Sequence, residues 1–395
     1  MTSPEMTSGR TGEQAHQALP VFGVRTRFAL ALALALIAAL IAGCAQYRTT
    51  EPALQAWGYA AWWLPLKESQ LQSAPVDRLL FFEIALGTDG SIANAHGWPD
   101  AHEDLRNAAA KRNTPLDLVL TVHGAQPFQA LFSDAQARAR LLDSALSLAS
   151  DPAVSGLQLD AEVYESVSVE SIAGMREWVA QLAARLRAMQ PRRELTLFIP
   201  PAHTGLYDRT TVSYADWGVM QAYDAHWANG PEAGPVAPLH GRSEASWERA
   251  FKHAQALGLP RHRTLLAYPL YGYEWPMRKR GIRGATAGAA RITTLATIEP
   301  ARLPSIQTSV EQRVAQYGCV RDARNGSAAY QFLDPDRGWV AGWYEGAWSL
   351  QHKRRFLIDK ELAGVAFFVL GYDDFRLVDA FERRRHAPSQ PVPKC

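Results

Sequence analysis

Asp160 and Glu162 lie two residues apart in the apolar run Ser155-Gly156-Leu157-Gln158-Leu159-Asp160-Ala161-Glu162. In a β-strand successive side chains point to opposite faces, so Leu157, Leu159 and Ala161 face one way and Gln158, Asp160 and Glu162 the other. Both carboxyls then share a face, roughly 6.6 Å apart along the strand. A second carboxyl one layer below raises the pKa of the upper one. A carboxylic acid kept protonated near neutral pH can give its proton to a leaving oxygen. A D-x-E triplet also arises by chance in a long chain, so its surroundings must decide.

Other chemistries leave no trace. The eleven histidines show no H-E-x-x-H or paired-cysteine spacing, so no metal site is expected. No phosphate loop and no G-x-S-x-G elbow occurs. Lys and Arg number 41 against 39 Asp and Glu, a net charge of +2, which makes nucleic acid an unsuitable partner. A chain that is 47% hydrophobic and 20% charged folds into a globular core.

The elements that must position Asp160 and Glu162 read as one alternating α/β domain. Strands are expected at residues 57–62, 78–85, 116–123, 156–162, 194–200, 217–223, 264–269 and 364–370. Helical periodicity separates them, as at residues 135–149 and 171–189. Eight apolar strands alternating with helices over roughly 340 residues predict a closed (β/α)8 TIM barrel. The rival, a doubly wound sheet, lacks a G-x-G-x-x-G after the first strand. About ninety residues separate the last two strands, too many for a loop and helix, which predicts an α+β insertion there, at about residues 275–345. In such a barrel the reacting groups sit at the C-terminal strand ends.

The strand Gly156–Glu162 resembles the D-G-x-D-x-D-x-E strand of glycoside hydrolase family 18, the chitinase-like family. Further segments resemble that family in order: Trp57-Gly58-Tyr59, Thr121-Val122-His123-Gly124, Met220-Gln221-Ala222-Tyr223-Asp224 and Tyr268-Pro269-Leu270-Tyr271-Gly272-Tyr273. Trp343-Tyr344-Glu345, Lys353 and the stretch Gly364–Asp374 complete the likeness, which spans about residues 54–380. It implies a barrel domain over residues 54–385 that hydrolyses a polysaccharide containing N-acetylated amino sugars, with retention and without a cofactor.

Carried over by position, the resemblance implies that Glu162 is the general acid/base and that Asp160 orients the 2-acetamido group. The acetamido oxygen then replaces an enzyme nucleophile. Tyr223 would hydrogen-bond that oxygen, and Asp224, Gln158, Tyr59, Phe368, Gln221 and Tyr271 would contact substrate. Ser155 and Gln158 stand where the family carries aspartates, and Phe368 where it carries the Trp beneath the sugar. These departures favour a cell-envelope or exopolysaccharide substrate over plain chitin. The alternative is a non-catalytic carbohydrate-binding protein on the same barrel. His123 and Glu83 either line the cleft or are a satisfied buried histidine and a solvated carboxylate. Trp62, Trp63, Trp227, Trp275 and Trp343 are candidate sugar platforms, two of which are expected to serve.

At the N-terminus, Arg25 and Arg27 precede an apolar run over residues 28–42, the layout of a signal peptide at residues 1–43. Leu40-Ile41-Ala42-Gly43-Cys44 resembles the lipobox of bacterial lipoproteins. It implies a lipidated Cys44, a short tether over residues 44–53 and a monomer anchored to the cell envelope, at the outer membrane in a Gram-negative cell. Cys319 and Cys395 are either bridged or unpaired.

Overall fold

The computed structural model describes residues 54–383 apart from residue 73, residues 202–204 and residues 299–307. The expected signal peptide and tether, with Cys44 and Cys395, lie outside the described residues. Among the described residues no helix is long and apolar enough to cross a membrane.

Eight parallel strands form the barrel: β1 (Gln55–Ala61), β2 (Arg78–Leu86), β3 (Leu116–His123), β4 (Gly156–Glu162), β5 (Glu194–Ile199), β6 (Trp217–Met220), β7 (Thr264–Pro269) and β8 (Gly364–Phe368). Each pairs with its chain neighbours, and β1 pairs with both β2 and β8, which closes the sheet. The expected TIM barrel is present. Its strands are apolar on both faces because helices cover the outside and side chains fill the lumen. Leu157, Leu159 and Ala161 of β4 are fully buried, and so are Leu118, Leu120, Leu195 and Leu197 beside them. Burying each such leucine contributes about 1.5–3 kcal/mol.

The helix Ala135–Ala149 has the expected bounds, with Asp134 accepting from the backbone N–H of Gln136 as its cap. The next one, Val169–Ala188, starts two residues early because Ser168 caps it through the Ser171 N–H. β6 is shorter than expected. It ends at Met220 because the chain must turn at Asp224, whose φ is +61°.

The bottom of the barrel is held by charge. Arg78 Nη1 donates to Asp117 Oδ2 at 2.6 Å, pairs with Glu194, and lies 4.7 Å over the Trp57 ring. Gly156 is required there: a Cβ would meet the Glu194 carbonyl oxygen at 2.6 Å and Asp117 Oδ1 at 2.9 Å.

Between β7 and β8 the chain builds an antiparallel five-stranded sheet in the order Arg291–Thr294, Tyr271–Pro276, Gly338–Tyr344, Ser327–Asp334, Val320–Asp322. The helix Val310–Tyr317 belongs to the same insertion, which is therefore α+β as expected. Its core contains a carboxylate, Glu274, that accepts from Arg313 Nε at 2.8 Å, Tyr330 Oη at 3.0 Å and Arg337 Nη2 at 3.1 Å. Fully satisfied in this way, a buried charge is tolerated. Cys319, in the same insertion, is disulfide-bonded.

Candidate active site

The C-terminal ends of the barrel strands surround a cleft of about 710 Å3 lined by Glu162, Tyr164, Gln221, Tyr223, Asp224 and Trp227, with Tyr271 and Phe368 at its floor and side. Glu162 ends β4, half-buried, and Asp160 lies one layer below with 2% of its surface exposed. The alternation read from the sequence thus puts both carboxyls on the lumen side. Burial pushes both pKa values up, Asp160 far above the usual carboxylate range because the charges of Glu162 and Glu83 add to it. For Glu162 the upward push of burial is opposed by the charge of His123 and a hydrogen bond from Tyr164. Asp160 Oδ1 is buried with no hydrogen-bond partner.

Tyr164, which follows the strand end, was not singled out from the sequence. Its hydroxyl stands 3.2 Å from Glu162 Oε2 and 3.0 Å from Gln221 Oε1, so its single proton can serve either. Its signal was faint, an aromatic two residues beyond the second carboxyl in a loop. Ser243, Glu244 and Ala245 also line the cleft, brought there by the long loop after β6.

Asp224 is placed by the insertion. Its Oδ1 accepts from Tyr271 Oη at 2.7 Å and Tyr273 Oη at 3.2 Å. Burial pushes its pKa up to about 6, against the pull of those two hydroxyls. Tyr223 and Phe368 stack with ring centroids 6.0 Å apart and planes 21° apart, forming an apolar floor.

Two residues expected to touch substrate do not reach the cleft wall. Tyr59 is buried in the lumen and donates through its hydroxyl to Gln158 Oε1 at 2.8 Å, and Gln158 is itself fully buried. The Tyr59 hydroxyl and Gln158 Oε1 are spent on each other beneath Asp160. Gln158 Nε2 has no partner, so the amide makes no hydrogen bond to Asp160.

The tryptophans divide. Trp227 is half exposed in the cleft, and Trp62, 38% exposed, stacks on His96 at 4.0 Å. Trp275 and Trp343 are fully buried in the insertion and cannot be platforms. Trp275 instead donates from Nε1 to the Trp227 carbonyl at 3.2 Å, which fixes the exposed ring's backbone. Trp63 is partly buried and donates to Tyr372 Oη at 3.0 Å.

Glu83 and His123 meet on the side of β4 occupied by β2 and β3. His123 Nε2 is 3.5 Å from Glu83 Oε2, an ion-pairing distance, and His96 Nε2 is 3.8 Å from Glu83 Oε1. Glu83 raises the His123 pKa against burial, with help from Glu162. Burial pushes Glu83 up, but His123 and Thr121 outweigh it and hold the carboxyl below its usual value. Such an array, a protonatable carboxyl opening into a cleft with a second carboxyl below, can deliver a proton and stabilise a neighbouring cation.

Two curated relatives are similar to the chain. A Drosophila melanogaster protein, probable chitinase 10, is 23% identical over 302 residues, covering 70% of this chain and 13% of that protein. An Arabidopsis thaliana class V chitinase is 25% identical over 256 residues, covering 58% of this chain and 66% of the relative. The chain thus spans less than two thirds of either relative's length. Among solved structures, a family 18 chitinase from Cycas revoluta in complex with (GlcNAc)3 superposes with a TM-score of 0.68 at 20% identity, covering 84% of this chain and 99% of the other. The spore cortex-lytic enzyme SleL of Bacillus cereus gives 0.66 at 17% identity, with 84% and 75% covered. These likenesses establish the shared barrel. The profile of the glycosyl hydrolases family 18 matches residues 55–373, all eight strands of the barrel and its insertion, and the chain belongs to that family.

Proposed function

We propose that the protein is a retaining glycosidase acting on a polysaccharide of N-acetylated amino sugars, in which the substrate's own acetamido group is the nucleophile. The observation that carries this reading is the pair Asp160 and Glu162: Glu162 opens into the cleft, and Asp160 is buried below it with Oδ1 unpartnered. Glu162, whose pKa burial raises, gives its proton to the glycosidic oxygen as the acetamido carbonyl oxygen attacks C1. The C1–oxygen bond breaks, the leaving sugar departs as an alcohol, and a cyclic oxazolinium remains. The acetamido N–H is the donor that Asp160 Oδ1 lacks, and the positive charge that develops favours the ionised carboxylate. Tyr223 supports the acetamido oxygen through its hydroxyl. Glu162, now a carboxylate, takes a proton from water, which attacks C1 from the face the leaving group vacated and reopens the ring with retention.

Phe368, stacked on Tyr223, is the floor under the reacting sugar, and Trp227 is a platform beside it. Asp224 binds a sugar hydroxyl. The relatives named as chitinases and the (GlcNAc)3 bound to the Cycas enzyme support an N-acetylglucosamine-containing substrate. The protein works as a monomer held on the cell envelope by a lipid on Cys44, a reading supported by the lipobox-like Leu40–Cys44. Cys44→Ser releases the protein from membranes or leaves it unprocessed on this account, and a processed variant that still fractionates with membranes contradicts it.

Incubating the full chain, purified in detergent, with a panel of N-acetylated oligosaccharides and reading the products by mass spectrometry tests the activity. Cleavage of N-acetylated chains, and not of their de-N-acetylated counterparts, is the expected result. Equal cleavage of both removes the acetamido group from the mechanism.

A further inference from the structure

Adjoining the cleft across Ser243, a residue lining both, is a second cavity of about 470 Å3. Its wall carries Arg242, Arg283, Arg324, His226 and His240, of which His240 is engaged by Glu248 at 3.0 Å from outside the cavity. It forms at the seam between the loop after β6 and the turn Asp322–Gly326 of the insertion. The seam is a built one. The Leu239 N–H donates to the Asn325 carbonyl at 2.9 Å, and the buried Lys353 donates to the Gly326 carbonyl at 2.7 Å from behind.

The charges in this cavity do not cancel. Asp322 is the one carboxylate among the described residues lining it, and it is already occupied. It pairs with Arg283 and accepts from Asn325 Nδ2 at 2.8 Å and the Asn325 N–H at 3.2 Å. Arg283 is further engaged 4.7 Å over the Trp343 ring. Arg242 and Arg324 are exposed, and among the described residues neither has a carboxylate partner. Burial lowers the pKa of His226, against the pull of the Pro235 carbonyl that accepts from its Nδ1–H at 2.8 Å, so the two arginines and not this imidazole carry the argument. The cleft on the other side of Ser243 is lined by carboxyls, Glu162, Asp224 and Glu244. With a net charge of only +2 over the chain, two unpaired guanidinium groups here are a local feature, not the overflow of a basic protein.

We propose that this cavity binds an anionic substituent, a carboxylate or a phosphate, on a glycan whose sugar backbone lies in the neighbouring cleft, with Arg242 and Arg324 as its ligands. The planar guanidinium fork matches both groups and holds them bidentately. The substrate is then an acidic N-acetylated polymer, not a neutral one. This inference rests on the reading of the cleft as a sugar site, and it adds the charge of the substrate.

Equilibrium binding to the full chain carrying Glu162→Gln tests it with five probes. They are a strand of alternating N-acetylglucosamine and N-acetylmuramic acid, the same strand methyl-esterified, a neutral N-acetylglucosamine hexamer with and without a phosphate monoester, and inorganic phosphate alone. An acidic probe is expected to bind at least about tenfold tighter than its neutral counterpart, as charge-assisted hydrogen bonds allow, with the advantage falling as salt rises. Which pair shows the advantage separates carboxylate from phosphate. Adding Arg242→Gln and Arg324→Gln abolishes the advantage and leaves affinity for the neutral hexamer unchanged. Equal binding of both acidic probes and their neutral forms, or an advantage that survives the two substitutions, overturns the proposal. If no glycan binds, the sugar-site reading fails; the anion site then stands only if inorganic phosphate binds and the double substitution removes it, and falls otherwise.

Discussion

His123 and Glu162 lie opposite one another in the register of β3 and β4, and His123 Nε2 is at the same time 3.5 Å from Glu83 Oε2. Partners in a parallel pair share a face of the sheet, so an imidazole with a raised pKa stands between two carboxyls at the mouth of the barrel. Burial lifts the pKa of Glu162, and the charge of His123 is the largest influence opposing it. The cleft therefore carries a device that keeps its proton donor from becoming too weak an acid.

Replacing that cation shifts the pH dependence in a definite direction. The basic limb of kcat/KM follows loss of the proton from the general acid. In His123→Gln the largest opposing influence is gone, only the Tyr164 hydrogen bond still offsets burial and Glu83, and the Glu162 pKa rises. Asp160, Asp224 and the Tyr164 hydroxyl, the other ionisable neighbours, remain in place. The basic limb moves to higher pH in His123→Gln and stays near wild type in His123→Lys, which keeps a cation. Profiles on one soluble oligosaccharide check this, and an unmoved limb in the glutamine variant contradicts it.

Gln158 offers the matching test from below. Its amide accepts from Tyr59 and adds no charge beneath Asp160. Gln158→Asp places a third buried carboxyl next to Asp160 and Glu162, where all three cannot ionise cheaply. Asp160 must be ionised to match the oxazolinium, so its pKa, already raised, sets the acidic limb. That limb moves upward in the variant, read in the same kcat/KM profiles. Superimposable acidic limbs show that position 158 does not act on Asp160.

Lys353 and Glu345 form a fully buried ion pair at 2.5 Å that joins the helix Ala347–Asp359 to the insertion. Glu345 Oε1 also accepts from Ser327 Oγ at 2.7 Å, so each oxygen has a partner. Lys353→Met leaves the carboxylate buried without its cation and costs about 3–5 kcal/mol of stability. Glu345→Gln together with Lys353→Met recovers most of that loss. Urea unfolding of the two variants checks both statements, and equal stabilities contradict them.

Much of this fold was legible because each barrel strand is an apolar run flanked by amphipathic helices, and both faces of such a strand are buried. The alternation along β4 sufficed to put Asp160 and Glu162 on the lumen side. What failed did so where tertiary packing decides. Tyr59 and Gln158 are the right residue types for a sugar site, but they are buried in the lumen, where the Tyr59 hydroxyl donates to Gln158 Oε1. Trp275 and Trp343 look like platforms in a polar segment, yet an insertion of short strands needs large side chains to build its own core. Tyr164 and the residues Ser243–Ala245 reach the cleft from loops, and loops carry no periodicity that reveals where they fold back.

A proton NMR time course follows the full chain and its Glu162→Gln variant hydrolysing a β-linked N-acetylglucosamine oligosaccharide. Substrate-assisted retention with Glu162 as acid predicts that the new reducing ends appear first as the β-anomer and only later mutarotate. The glutamine variant, unable to deliver a proton, is slowed by about 10²- to 10⁴-fold on the same signal. New reducing ends that appear first as the α-anomer, or turnover by Glu162→Gln at the wild-type rate, contradict it.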